Sequence, residues 1–220
     1  MPDERLQVRR AFRRRLSRGA RCLLRLRYGF DAWHCIPYEA KDYAAAVVEL
    51  ARALPEPRRG RVLDLGCGLG DLLRRLPFTE RLGWDPDPRV IAAASLLGIW
   101  GDHAGTGDLS FHTRNLDVDL PPGRFDLVLA LNWLHDLPPA EAEALVRRIC
   151  DQHLAPHGLL CLDVVEAPGY PYHHRPAALL AGQDLPWYTL GPFANERRLV
   201  FIGTGTTASG GFPQFNSRRD

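Results

Sequence analysis

The residues best placed for chemistry are Asp64, Gly66, Gly68 and Gly70, set in the stretch RVLDLGCGLGDLL at residues 61–73. Glycine lets a backbone turn sharply and approach a ligand where a Cβ would intrude. An acid ahead of such a turn suits a ligand that carries an ammonium group. Asp71 stands where the diphosphate pattern G-x-G-x-x-G requires Gly or Ala. A carboxylate there disfavours pyrophosphate and leaves a zwitterionic or cationic nucleotide-type ligand as the better fit. Taken alone the pattern is weak, because glycine corners also serve close packing. Asp85 adds to it, since one carboxylate offers two acceptor oxygens for the hydroxyls of a ribose. Asp87 is the better N-cap ahead of Pro88, which leaves Asp85 for a ligand.

These residues need a scaffold. Val62, Leu63 and Leu65 form the apolar run of a fully covered parallel strand. A short helix carrying Leu72, Leu73 and Leu76 should follow the glycines and aim its free N–H groups at the ligand. Further strands are expected at 81–85, 109–114, 125–131 and 159–165, with helices between them and a strand pair at 187–190 and 198–203. Such alternation predicts an α/β fold with a parallel sheet covered on both faces. Ligands then lie at the carboxyl ends of the strands. Asp64, Asp85, Asn115, Asn132 and Glu166 all fall at predicted strand exits.

The chain of 220 residues suits one substantial domain, and no window approaches the ~18 apolar residues of a membrane span. Five scattered cysteines without C-x-x-C spacing argue for a reducing cytoplasm and against a disulfide frame or a metal site. The net charge of +2 hides an asymmetry: ten Arg against Asp3 and Glu4 give residues 1–30 a charge of +8, leaving −6 for the rest. Leu6, Phe12, Leu16, Leu23 and Leu26 recur among those arginines at helical spacing. The segment reads either as a helix with a solvated basic face or as a contact for an anionic lipid, nucleic acid or acidic protein. Lys41 is the only lysine. The aromatic stretch YGFDAWHCIPYEAKDY, residues 28–43, is either a lid over the pocket or a packing seam, and a helix follows to Leu54. The expected organisation is a basic helical extension at 1–30, a ligand-binding domain at 31–203 and a mobile tail at 204–220.

VLDLGCGLGDLL, LGWDPDP, SFHTRNLDVDLPPGRFDLVLALNWLHDL and LAPHGLLCLDVV, in that order, resemble the successive motifs of class I S-adenosylmethionine-dependent methyltransferases. The resemblance covers residues 61 to about 165 and continues more weakly to Gly203. It implies a seven-stranded, mostly parallel Rossmann-like sheet of order 3-2-1-4-5-7-6, with S-adenosyl-L-methionine as methyl donor and S-adenosyl-L-homocysteine as product. By position it implies Asp64, Gly66, Cys67, Gly68 and Gly70 at the methionine moiety, and Asp85 with Pro86 at the ribose. Asn115 and Leu116, or Asp117, would meet the adenine, and Ala130, Leu131 and Asn132 would line the floor. Transfer from a sulfonium needs alignment, and a base only if the nucleophile has a proton to lose. His135, just beyond Asn132, is the first candidate base; His34, His173 and His174 are weaker ones, and a structural role is an equal alternative for each. Trp33, Tyr38, Trp133, Tyr170, Tyr172 and Trp187 suggest an aromatic-walled cavity for a small organic acceptor, methylated on O or N. The L-N-W-L exit differs from the N/D-P-P-Y/F of amide and exocyclic-amino enzymes, and one lysine cannot supply a Lys-Asp-Lys-Glu set. A non-catalytic scaffold that keeps the fold, or an RNA or protein acceptor recruited by the basic segment, are the alternatives.

Overall fold

Strand β1, Arg61–Leu65, occupies the middle of a sheet in the computed structural model, which describes residues 19–100, 107–116 and 120–203. The other strands are β2 (Glu80–Asp85), β3 (Asp108–Thr113), β4 (Phe125–Ala130), β5 (Leu154–Val165), β6 (Trp187–Phe193) and β7 (Arg197–Gly203). The sheet runs β3-β2-β1-β4-β5-β7-β6, the expected order. β1 pairs in parallel with β2 and β4, whereas β7 is antiparallel to both β5 and β6. Two strand ends differ from the sequence reading by more than one residue. β5 begins at Leu154 and carries an irregularity where the Phe125–Leu154 and Leu127–Leu159 pairs flank unequal lengths, with His157 at positive φ. β6 continues to Phe193.

Alternate residues of the central strands go to opposite faces, as the period of a strand demands. Leu63, Leu65, Val128, Leu160 and Leu162 join one core with Ala142, Leu145, Val146 and Ile149. Ala142, Leu145 and Val146 belong to helix α4, Pro139–Arg148, which two prolines open, and Ile149 begins the single wider π turn that closes it. Val62, Leu127, Leu129 and Cys161 face the other way, onto Val47, Leu50 and Ala51 of α2, Asp42–Ala53. Asp64 shares that second face with Val62, so the strand itself turns the acid toward α2. Helices α3, Pro88–Trp100, and α5, Pro176–Leu179, complete the cover.

The helix expected after the glycine turn does not form. Only a single 3-10 turn, Leu73–Arg75, lies between β1 and β2. Pro77 cuts the segment short, because a proline cannot donate within a helix and pushes its predecessor to extended backbone. Arg74 serves in its place: its guanidinium donates to the carbonyls of Leu69 and Ala94 and lies over the Phe111 ring. No helix N-terminus therefore points into the pocket from here.

A helix precedes all of this. Residues 19–28 are helical, here α1, and Leu24 packs with Phe30, Leu69, Val90 and Ala93. Residues 1–18, most of the 98–108 loop, Asp117 and the tail from Thr204 lie outside the described residues.

Candidate active site

Asp64 leaves β1 at the point where Gly66, Gly68 and Gly70 all adopt positive φ, at 76°, 54° and 74°. The turn is tied to β2 from within. Gly66 and Cys67 donate to Trp84 O, at 2.8 and 3.0 Å, and Gly68 N–H donates to Asp85 Oδ2 at 3.0 Å. Asp85 Oδ1 accepts from Asp87 N–H, while Asp87 caps α3 through Arg89 N–H. Two of the carboxylate's acceptor positions on Asp85 are thus used inside the protein. Burial raises its pKa against those two bonds.

A cavity of about 40 Å³ opens beside the turn, lined by Asp64, Gly66, Cys67, Gly68, Leu69, Asp71, Leu72, Leu131 and Asn132. Its other wall is Trp33, His34, Tyr38, Lys41, Tyr43 and Ala44. The 28–43 segment, which sequence left open between lid and seam, therefore closes over the glycine turn. His34 Nδ1 would sit 3.4 Å from a Cβ at Gly68, and it has no hydrogen-bond partner among the described residues. Burial lowers its pKa to about 4, so it is neutral at neutral pH. Asp64 moves the other way: burial, opposed by Lys41 and helped by Asp85, pushes its carboxyl up to about 7. Lys41 is held below the usual lysine range by burial, which Asp71 and Asp64 partly offset. Its ammonium lies 6.0 Å from the Trp33 ring centre and makes no ion pair among the described residues.

Asp71 is not the free anion that the sequence suggested. Arg21 of α1 grips it at two points, Nη1 to Oδ2 at 2.6 Å and Nη2 to Oδ1, with both side chains buried. Burial alone would raise the Asp71 carboxyl, but the Arg21 contact outweighs it and holds the group below its ordinary value. Paired with Arg21 in this way, Asp71 does not present a free negative charge to a diphosphate.

Asn132 forms the floor at φ 69°, a conformation asparagine tolerates better than most residues. Its N–H donates to Asp163 Oδ1 at 2.7 Å and its Oδ1 accepts from Arg197 Nη2 at 2.8 Å. Arg197 also pairs with Asp163 and stands 4.9 Å over the Tyr43 ring. Sequence reading named Asn132 as floor but missed Asp163 and Arg197. The available signal was Asp163, a lone charge inside the apolar run LLCLDVV.

Other expected residues lie elsewhere. Gly70, Asp85, Pro86, Asn115, Leu116 and Ala130 are not on the cavity wall. Asn115 is exposed and Leu116 is buried in the core with Trp84. Trp133 packs beneath the turn, where a Cβ on Gly66 would meet its ring at 2.5 Å, and its Nε1 donates to Leu65 O. His135 stacks edge-on against Tyr170 and sits 3.8 Å from Asp136, away from the cavity. His173 and His174 bond the carbonyls of Val165 and Leu134, Tyr172 stacks on His174, and Trp187 is half-exposed on β6.

Known proteins place this geometry. A sequence model described as Methyltransferase domain matches residues 38–200. Trans-aconitate 2-methyltransferase of Mycobacterium marinum is 33% identical over 125 residues, covering 55% of this chain and 41% of that protein. Its counterpart in Variovorax paradoxus is 27% identical over 166 residues, covering 69% and 54%. The chain spans about half the length of these curated relatives. Among solved structures, the N-methyltransferase NodS of Bradyrhizobium japonicum with S-adenosyl-L-homocysteine superposes with a TM-score of 0.60 at 16% identity, covering 84% and 97%. Magnesium protoporphyrin IX methyltransferase of Synechocystis with the same ligand gives 0.57 at 21%, covering 73% and 80%. With its domain matched over most of its length and its sheet in the class I order, this chain belongs to the methyltransferase domain family.

Proposed function

We propose that the chain is an S-adenosyl-L-methionine-dependent methyltransferase acting on a small organic acceptor, with residues 31–203 as its catalytic unit. The observation that carries this reading is the glycine turn at positive φ, closed on one side by Asp64 and on the other by Lys41 and His34. The residues fit the donor. The Gly68 cradle admits a close ligand, Asp64 suits its ammonium, Lys41 its carboxylate, and the unpaired His34 Nδ1 can accept a hydrogen bond. Asp85 would hold the ribose through acceptor positions its two internal bonds leave open, with Asn115 and Leu116 near the adenine. Bound there, S-adenosyl-L-methionine supplies an electrophilic methyl group.

The protein's own part is binding, alignment and exclusion of water. Asn132, fixed by Asp163 and Arg197, supports a rigid floor. Residues 31–41 shut the cavity to about 40 Å³, far below the ~300 Å³ of a small ligand site, so they must move aside to admit a donor. With Asp64 committed to the donor's ammonium, the histidines among the described residues provide poorly for proton removal. His34, drawn down to about 4, is a weak base at neutral pH, and His135 lies off the cavity. This favours an acceptor whose nucleophile has already lost its proton, such as a carboxylate. The acid in the name trans-aconitate 2-methyltransferase is of that kind.

Labelled methyl transfer from S-adenosyl-L-methionine to a panel of carboxylic acids, phenols and amines tests the reading. Label should appear first in carboxylate methyl esters. Turnover confined to amines would overturn the acceptor class, and absence of transfer to any of them despite donor binding would favour a scaffold.

A further inference from the structure

The outer face of α1 is apolar where a soluble surface should be polar. Residues 21, 24 and 28 face inward: Arg21 and Leu24 are buried and Tyr28 is partly covered. Leu23 and Leu26, one helical turn apart, point the opposite way and are 69% and 83% exposed. Arg25 and Arg27 flank them, both exposed. The turn that follows adds Trp33 and Ile36, at 41% and 43%. It is joined to α1 through the Cys35 Sγ contact with Arg21 O. Five large hydrophobics are markedly exposed among the described residues, and four of them fall between 23 and 36. That is too concentrated for the scattered exposure of an ordinary surface.

The same end of the chain holds the positive charge. Residues 1–30 carry ten arginines and a charge of +8, against −6 for the remainder. We propose that α1 and the turn at 31–37 form a contact surface for an anionic lipid bilayer. Leu23, Leu26, Ile36 and the Trp33 ring would enter the headgroup boundary while the arginines meet lipid phosphates. A helix with apolar residues on one side and arginines around them binds lipid surfaces in this way, and its affinity depends on both terms. A nucleic acid would account for the arginines but leave Leu23, Leu26 and Ile36 unexplained. A second copy of the chain would bring two ends of charge +8 together. Trp33 also belongs to the cavity wall, so the surface adjoins the site. The proposal is independent of methyl transfer, and its failure would leave that reading intact.

Co-sedimentation of the full chain with vesicles tests it. Vesicles of equal parts phosphatidylcholine and phosphatidylserine should carry the protein down, with binding that weakens as salt rises. Pure phosphatidylcholine should carry much less. The double variant Leu23→Asn/Leu26→Asn, at exposed positions, should keep its circular dichroism spectrum and lose about tenfold or more of its partitioning. Arg25→Ala/Arg27→Ala should lose a similar factor. Equal binding to both vesicle types, or none to either, would overturn the proposal. So would unchanged partitioning of the leucine variant, since a purely charge-driven site would then be indicated and poly(U) should compete for it. A concentration-dependent dimer abolished by the same leucine changes would overturn it in favour of self-association.

Discussion

Asp64 sits where burial and charge oppose one another, and its carboxyl at about 7 makes the cavity pH-sensitive near neutrality. A ligand ammonium requires the ionised form. Affinity for S-adenosyl-L-homocysteine should therefore rise with pH up to about 7, by as much as tenfold per unit, and then level off. Calorimetry across that range checks this, and Asp64→Asn should bind weakly and without the slope. For the unliganded protein the sign reverses. A carboxyl raised on folding favours the protonated form, so Asp64's contribution is full below the ordinary carboxylate pKa and is lost as pH rises through about 7. Gly68→Ala places a Cβ 3.4 Å from His34 Nδ1 at φ 54°, and should cost about 1 kcal/mol in urea unfolding and weaken donor binding as well. Asp64 and the glycines were legible because one strand-to-turn segment carries them all. The surroundings of His135 and Trp133 were not: one is set by Tyr170 and the other by Gly66, both remote in sequence.

At the scale of elements, α1 is latched to the glycine turn by Arg21 and Asp71, across 50 residues of sequence. Removing one member strands a buried charge, so Arg21→Ala should cost about 3 kcal/mol and raise hydrogen exchange across residues 19–28. Because Asp71 is held low, this contribution is present above the ordinary carboxylate pKa and disappears as pH falls through the folded value. The periodicity of arginines and leucines foretold a helix here, but not which arginine turns inward. That choice depends on an acid elsewhere in the chain. The missing helix after the turn is a related lesson, since Leu72, Leu73 and Leu76 are buried or partly buried as expected but lie on and beside a 3-10 turn that Pro77 keeps short. Residues 31–41 should gain exchange protection when S-adenosyl-L-homocysteine binds. Protection unchanged there would mean that the segment is packing rather than a lid.

Across the whole molecule, the strand order could be anticipated from the motif series, whereas the trio Asn132, Asp163 and Arg197 could not, because it joins the exits of β4 and β5 to the start of β7. Asp163→Ala would leave Arg197 buried without its counter-charge, at a cost of about 3–5 kcal/mol in urea unfolding. The sheet thus builds one rigid floor, and residues 33–44 supply the opposite wall. The central claim is that the cavity between them holds the S-adenosyl donor. Titration calorimetry of the wild-type chain and Asp64→Ala with S-adenosyl-L-homocysteine at pH 8 tests it most directly. Saturable binding to the wild type, weakened about tenfold or more by the substitution, is the predicted result. Absence of binding to the wild type, or equal binding by both proteins, would contradict it.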